Sequence, residues 1–193
     1  KESNNINFKI PKSGLNVNID LDTKNNNNFI NGIFRSKILN TNLKFNFSYD
    51  QTSLKIYNSF FRNKNISFKN ESLITFKPFL DSRLKFDIEE INVEIFKQLE
   101  LDKLLTFKNI LKQINIKNEI NFKSKKFSRS FIDKLDLKFD LAYGRLNYTK
   151  NLFLSDSIFQ CKGSVNLLEE FPLLFFDCSI FSESKKDFLK IFD

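Results

Sequence analysis

Histidine, tryptophan and methionine are absent from the 193 residues, and the chain holds only two cysteines, three prolines and four glycines. Without histidine there is no side chain that changes charge near neutral pH, and no imidazole to hold a metal. Neither cysteine can be activated by a neighbouring imidazole, which excludes a Cys–His nucleophile. A Gly-rich phosphate loop, a Gly-x-Ser-x-Gly elbow and a Cys-x-x-Cys pair are all missing. The carboxylate pairs Glu89-Glu90 and Glu169-Glu170 read as exposed charge, because adjacent residues of a strand face opposite ways and cannot share a substrate. The chain is therefore expected to be no enzyme, with no catalytic residue, no metal and no cofactor.

Long hydrophobic runs are also lacking. No stretch of 18 apolar residues exists, so no helix of this chain is expected to span a membrane. The opening Lys1-Glu2-Ser3-Asn4-Asn5 is too polar for a signal peptide. With no methionine even at the start, the chain reads as a segment of a larger protein, any anchor lying upstream of Lys1.

What is present is Phe (25 residues), with Ile, Leu, Lys and Asn, a set that AT-rich codons favour. The formal charge of +8 is discounted for the same reason. Its lysines are dispersed among 23 acidic residues, and the densest cluster, Lys123-Ser124-Lys125-Lys126 with Arg129, reads as a solvated loop. Single-strand binders mix aromatics and cations on one face. Here Phe alternates with Lys, so the two point opposite ways, and no nucleic-acid partner is expected. The Asn-x-Ser/Thr matches at Asn46, Asn65, Asn70 and Asn147 are what so Asn-rich a chain produces by chance.

That alternation is the dominant signal. Leu135-Asp136-Leu137-Lys138-Phe139-Asp140-Leu141 changes character at every step, and Leu43-Lys44-Phe45-Asn46-Phe47-Ser48-Tyr49 nearly matches it. A period of two gives a strand one apolar and one wet face. Candidate strands fill 5–10, 15–21, 29–39, 42–50, 53–61, 65–76 and 83–91, joined by short turn-like segments, so neighbours in sequence should pair antiparallel. From Asn92 to Asn115 the apolar spacing lengthens to three and four (Ile95, Leu99, Leu104, Phe107, Leu111, Ile114), predicting two short helices broken near 100–102. Strands then resume at 116–124, 130–142, 145–149, 152–156, 158–168 and 173–181. The last is apolar on both faces, which predicts cover from both sides. Ser184, Asp187 and the apolar Phe188, Leu189, Ile191 and Phe192 predict a closing helix. The fold class is thus mainly β: residues 1–193 form one β-rich domain built on a long antiparallel sheet, with a helical insertion at about 92–115.

Cys161 and Cys178 lie equally far from the midpoint of a turn between Glu169 and Glu170. A hairpin there opposes them directly, at a separation near disulfide range. They are expected to be close, as a bonded pair or as two buried thiols.

The order of elements resembles the AsmA-like family, bacterial envelope proteins related to TamB and to bridge-like lipid transfer proteins. The segments that carry the resemblance are Leu84–Ile91, the stretch through Leu104-Leu105 and Ile110-Leu111, Ile116–Phe122, Asp136–Leu141, Tyr143-Gly144-Arg145-Leu146, Leu152–Phe159 and Gly163-Ser164-Val165-Asn166-Leu167. The resemblance implies a curled, taco-like sheet whose groove holds phospholipid acyl chains and serves outer-membrane biogenesis. It also implies a periplasmic location, with an inner-membrane anchor outside this chain. The groove is expected to be lined by Leu43, Phe45, Phe47, Leu54, Ile56, Leu84, Phe86, Ile88, Leu135, Leu137, Phe139 and Leu141. The competing readings are a structural or adhesive β-domain of a surface protein without ligand and, last, a basic nucleic-acid-binding module.

Overall fold

The computed structural model describes residues 3–22, 29–92, 108–111, 113–124, 132–154 and 157–183. The chain is mainly β and divides into two compact units, Lys1–Leu99 and Glu100–Asp193.

The first unit is an antiparallel meander of seven strands: β1 (Ser3–Ile10), β2 (Leu15–Asp22), β3 (Ile30–Ile38), β4 (Thr41–Tyr49), β5 (Ser53–Arg62), β6 (Ile66–Thr75) and β7 (Asp81–Ile91). Each pairs with the next in the chain. The connections are short and locally bonded. Pro11–Ser13 forms one 3₁₀ turn, closed by Gly14 at φ 63°. Asp50 closes the β4–β5 turn by accepting from the backbone N–H and hydroxyl of both Thr52 and Ser53. These bonds favour the charged carboxylate, the Thr52 hydroxyl first, and hold it well below the ordinary range at about 2. Within β5 a bulge at Asn58–Ser59 interrupts the ladder, and the Ser59 hydroxyl donates to the carbonyl of Asn70 at 2.6 Å.

The second unit contains five strands: β8 (Asn115–Lys123), β9 (Lys134–Ala142), β10 (Arg145–Leu154), β11 (Ser157–Asn166) and β12 (Leu174–Ser182). They too are antiparallel and paired in chain order. Tyr143 (φ 48°) and Gly144 (φ 85°) make the two-residue β9–β10 turn.

Several expectations need correction. Of the helices predicted over 92–115, residues 93–107 and 112 lie outside the described residues. The described part holds one helical turn, α1 (Lys108–Leu111), and Asn115 already starts β8. No longer helix occurs among the described residues. The closing helix predicted at 184–193 lies outside the described residues, as do Lys125, Lys126 and Arg129 of the basic cluster. The break predicted between 149 and 152 does not exist: β10 runs through it, with Lys150 at an apolar position of an unbroken strand. Lysine there imitates the polarity of a turn without the glycine or proline a turn needs. Finally, the both-sided cover predicted for β12 is missing, since nearly all its residues are exposed among the described residues.

Candidate functional site

Partners across an antiparallel ladder share a face, so the register assigns every side chain to one side of its unit. In the first unit β3 and β4 oppose Gly32 to Phe47, Phe34 to Phe45 and Ser36 to Leu43. The same side continues through Ile19 and Val17 of β2 to Ile6 and Phe8 of β1. On the other flank it runs through Leu54, Ile56 and Phe61 of β5, Phe68 and Ile74 of β6, and Leu84, Phe86 and Ile88 of β7. All eight residues expected from this half of the chain (Leu43, Phe45, Phe47, Leu54, Ile56, Leu84, Phe86 and Ile88) therefore lie on one face, and all are half-buried. Seven strands at about 4.8 Å spacing make this wall about 29 Å wide. No ladder position on it carries a charge.

Phenylalanine rings cover the middle of the wall. Phe34 and Phe45 stack at 4.8 Å, Phe45 meets Phe47 edge-on at 6.3 Å, Phe61 stacks on Phe68 at 4.8 Å, and Phe68 meets Phe86 edge-on at 5.3 Å. Phe34, Phe61 and Phe68 escaped the sequence-based assignment. The two-residue turn at Leu39-Asn40, which sets Phe34 opposite Phe45, was the signal available for the first of them. Gly32 explains how a ring lies flat on the sheet: a Cβ there would stand 2.6 Å from Cζ of Phe47 and 2.7 Å from the carbonyl oxygen of Asp20.

The second unit repeats the scheme. Leu135, Leu137, Phe139 and Leu141 share one face with Ile116, Ile120 and Phe122 of β8 and with Leu146, Tyr148 and Leu152 of β10. It continues through Phe159 and Val165 of β11 to Leu174, Phe176 and Ile180 of β12. Leu141 and Phe122 are buried, while Leu135, Leu137 and Phe139 are half-buried. Gly163 repeats the part of Gly32, its missing Cβ lying 2.4 Å from the Tyr148 ring. Lys150 is the one charged residue on this face among the described strands, half-buried between Leu137 and Cys161.

Cys161 and Cys178 are partners in the β11–β12 ladder, as the hairpin midpoint predicts, and they form a disulfide with Cα atoms 4.1 Å apart. The bond sits on the same apolar face, closer to its free margin than Leu135, Leu137, Phe139 and Leu141.

Among the described residues, neither wall is roofed within its own unit. The described strands of each unit all belong to one ladder in chain order, so none of them forms a second sheet over it. Only Phe122, Leu141 and Leu154 are buried apolar side chains among the described residues. Phe8 remains 54% exposed on the first wall, and Phe176 66% exposed on the second. A sealed sandwich core of comparable length leaves far fewer large apolar side chains in water.

The opposite face of the first unit is wet and cross-linked by polar side chains. The Asn5 amide and the Arg35 guanidinium both donate to the Asp20 carboxylate, and Asn18 donates to Asn7 at 2.7 Å. The bond from Arg35 first, then that from Asn5, holds Asp20 below the usual carboxylate range. Glu89 and Glu90 depart from the expectation that they face opposite ways. A bulge where Ser67 pairs with Glu90 and Phe68 with Ile88 leaves Glu89 as the extra residue. Glu89 then binds Lys69 at 2.6 Å and Glu90 reaches Arg62 at 3.5 Å, both on the wet side. The hydrogen bond and charge of Glu89 raise Lys69 above its ordinary value. Each of the two carboxylates thus faces its own cation. Among the described residues no cluster of acids and cysteines is arranged to hold a metal.

No protein-family model, no curated protein and no solved structure matches this chain.

Proposed function

We propose that the chain is a non-catalytic lipid-binding module in which the uncharged wall of the first unit holds hydrocarbon tails. One observation carries this reading: among the described residues, an aromatic face seven strands wide, free of charge, is left without a covering layer within its own unit. Covering apolar surface stabilises by about 25 cal/mol per Å², so an acyl chain laid on the wall is held by area alone and needs no directional chemistry. Lys150 gives the second unit's wall one cation beside Leu137, which suits an amphiphile with an anionic head. A disulfide suits an oxidising compartment such as the periplasm. The resemblance to AsmA-like proteins adds lipid transfer toward the outer membrane, a curled groove and an inner-membrane anchor outside this segment to the proposal.

Native mass spectrometry of the purified chain is the test. Phospholipid or fatty acid adducts are expected, and they should fall several-fold in Phe45→Asp and Phe68→Asp variants that retain the wild-type circular dichroism. Lys150→Glu should weaken anionic lipids while sparing neutral ones. A chain that carries no lipid, and takes none from vesicles of phosphatidylethanolamine and phosphatidylglycerol, leaves the structural β-domain without ligand as the correct reading.

A further inference from the structure

The free margin of the second unit has the properties of an interface. Among the described residues strand β12 pairs only with β11, and no described strand lies along its other edge. Natural edge strands are usually short, charged or interrupted by proline, which discourages pairing with foreign strands. β12 is nine residues long, has no proline and carries a single charge. Leu174, Phe175, Phe176, Ile180 and Phe181 are all more than half exposed, and they occupy both faces of the strand. Its single charge, Asp177, is met by Lys162 at 3.4 Å.

The orientation of its backbone follows from the ladder. Opposed residues of an antiparallel pair alternate between about 5.5 Å, where they exchange hydrogen bonds, and about 4.5 Å, where they do not. Cys161 and Cys178 are 4.1 Å apart and belong to the second kind. The N–H and C=O of Cys178, and by alternation those of Phe176 and Ile180, therefore point away from β11 toward the open edge. The N–H groups of Phe175, Asp177, Ser179 and Phe181 point inward and serve the existing ladder.

From this we infer that β12 pairs antiparallel with β12 of a second copy of the chain, about a two-fold axis at Cys178. Only outward groups can bond outward groups, so even-numbered residues must oppose even-numbered residues. A two-fold centred on Cys178 satisfies this and sets Phe176 against Ile180 of the other copy. It also sets Phe175 against Phe181 and the lone Asp177 against Ser179. Centring on Asp177 instead would oppose two like charges, which destabilises a cross-strand pair. Centring on Ser179 would set Asp177 against Phe181. Of these three centres, Cys178 is the one that opposes phenylalanine to phenylalanine and keeps Asp177 away from a like charge, and the two-fold makes the interface isologous. It also keeps apolar residues on one side, so the wall of the second unit continues into that of its partner. This inference does not depend on the lipid reading.

The test uses the whole chain. Sedimentation equilibrium from 1 to 100 µM should show a concentration-dependent dimer. Amides of Phe176, Cys178 and Ile180 should gain protection from exchange as the dimer forms, while those of Phe175 and Ser179 are protected throughout. Phe176→Pro removes an outward N–H and leaves the β11 ladder intact, so it should give a folded monomer. Mixing Asp177→Cys chains with Ser179→Cys chains should yield a disulfide-linked heterodimer, and Asp177→Cys alone should not cross-link. A monomer at every concentration overturns the inference. So does a dimer indifferent to Phe176→Pro, or one that links Asp177→Cys to itself.

Discussion

Removing the Cys161–Cys178 bond should loosen one strand and leave the rest of its unit in place. Among the described residues β12 has little else to hold it: its side chains are mostly in water and its ladder runs along one edge only. The bond closes a loop with a sequence separation of 17. For a loop of that size, the chain-entropy relation gives about 3 kcal/mol of stabilisation against opening. At about 1.4 kcal/mol per factor of ten, the open state of β12 should become about a hundredfold more populated on reduction. Amide exchange followed by NMR at 1 µM or below, with and without reductant, measures this directly. The inward amides of Phe175, Asp177, Ser179 and Phe181 should speed up by about that factor, while those of β9 (Lys134–Ala142) stay as they were. The Cys161→Ser, Cys178→Ser double variant should reproduce the reduced protein. Unchanged exchange in β12 would refute the argument that the bond is its main restraint. An equal acceleration across β8 to β11 would refute its local character.

Three further outcomes follow from the geometry. Gly163→Ala should destabilise the second unit by about 1–3 kcal/mol, seen as a lower urea midpoint. The Tyr148 ring can swing aside, but the carbonyl oxygen of Phe175, 2.7 Å from the new methyl, is held by the ladder. A midpoint unchanged from wild type would contradict that close approach. A double-mutant cycle on the stacked pair Phe34 and Phe45 should give a coupling of about 0.5–1.5 kcal/mol; additive single mutants would mean the rings do not interact in solution. Asp50 should show its contribution through pH. Its folded value of about 2 lies below the ordinary one near 3.9, so its stabilisation is complete above pH about 4 and is lost as pH falls toward 2. The difference in urea midpoint between wild type and Asp50→Ala should therefore be constant from pH 6 to 5 and shrink below pH 4; a difference undiminished at pH 2 would exclude the carboxylate as its source.

Legibility varied with how local each signal was. The strand runs and their chain-order pairing were readable because short connections force neighbours together. The facing of Cys161 and Cys178 was readable because a hairpin midpoint fixes register by counting. Bulges were not readable. The extra residue at Glu89 reverses the facing of one carboxylate, and the one at Asn58–Ser59 shifts β5 against β6. No residue type marks the site at Glu89, and Asn58, at φ 48°, is too common a residue in this chain to single out the other. Lys150 misled for the opposite reason, because one polar residue on an apolar face looks locally like the end of a strand.

The sequence by itself determined which side chains of each strand lie together, since a period of two follows from the geometry of the extended backbone. It also determined the local turns and the cysteine register. Only the tertiary structure decided whether the resulting apolar face is a core or an open wall. Identical alternation serves both, and the difference lies in what is packed about 10 Å above the sheet, which no single strand records.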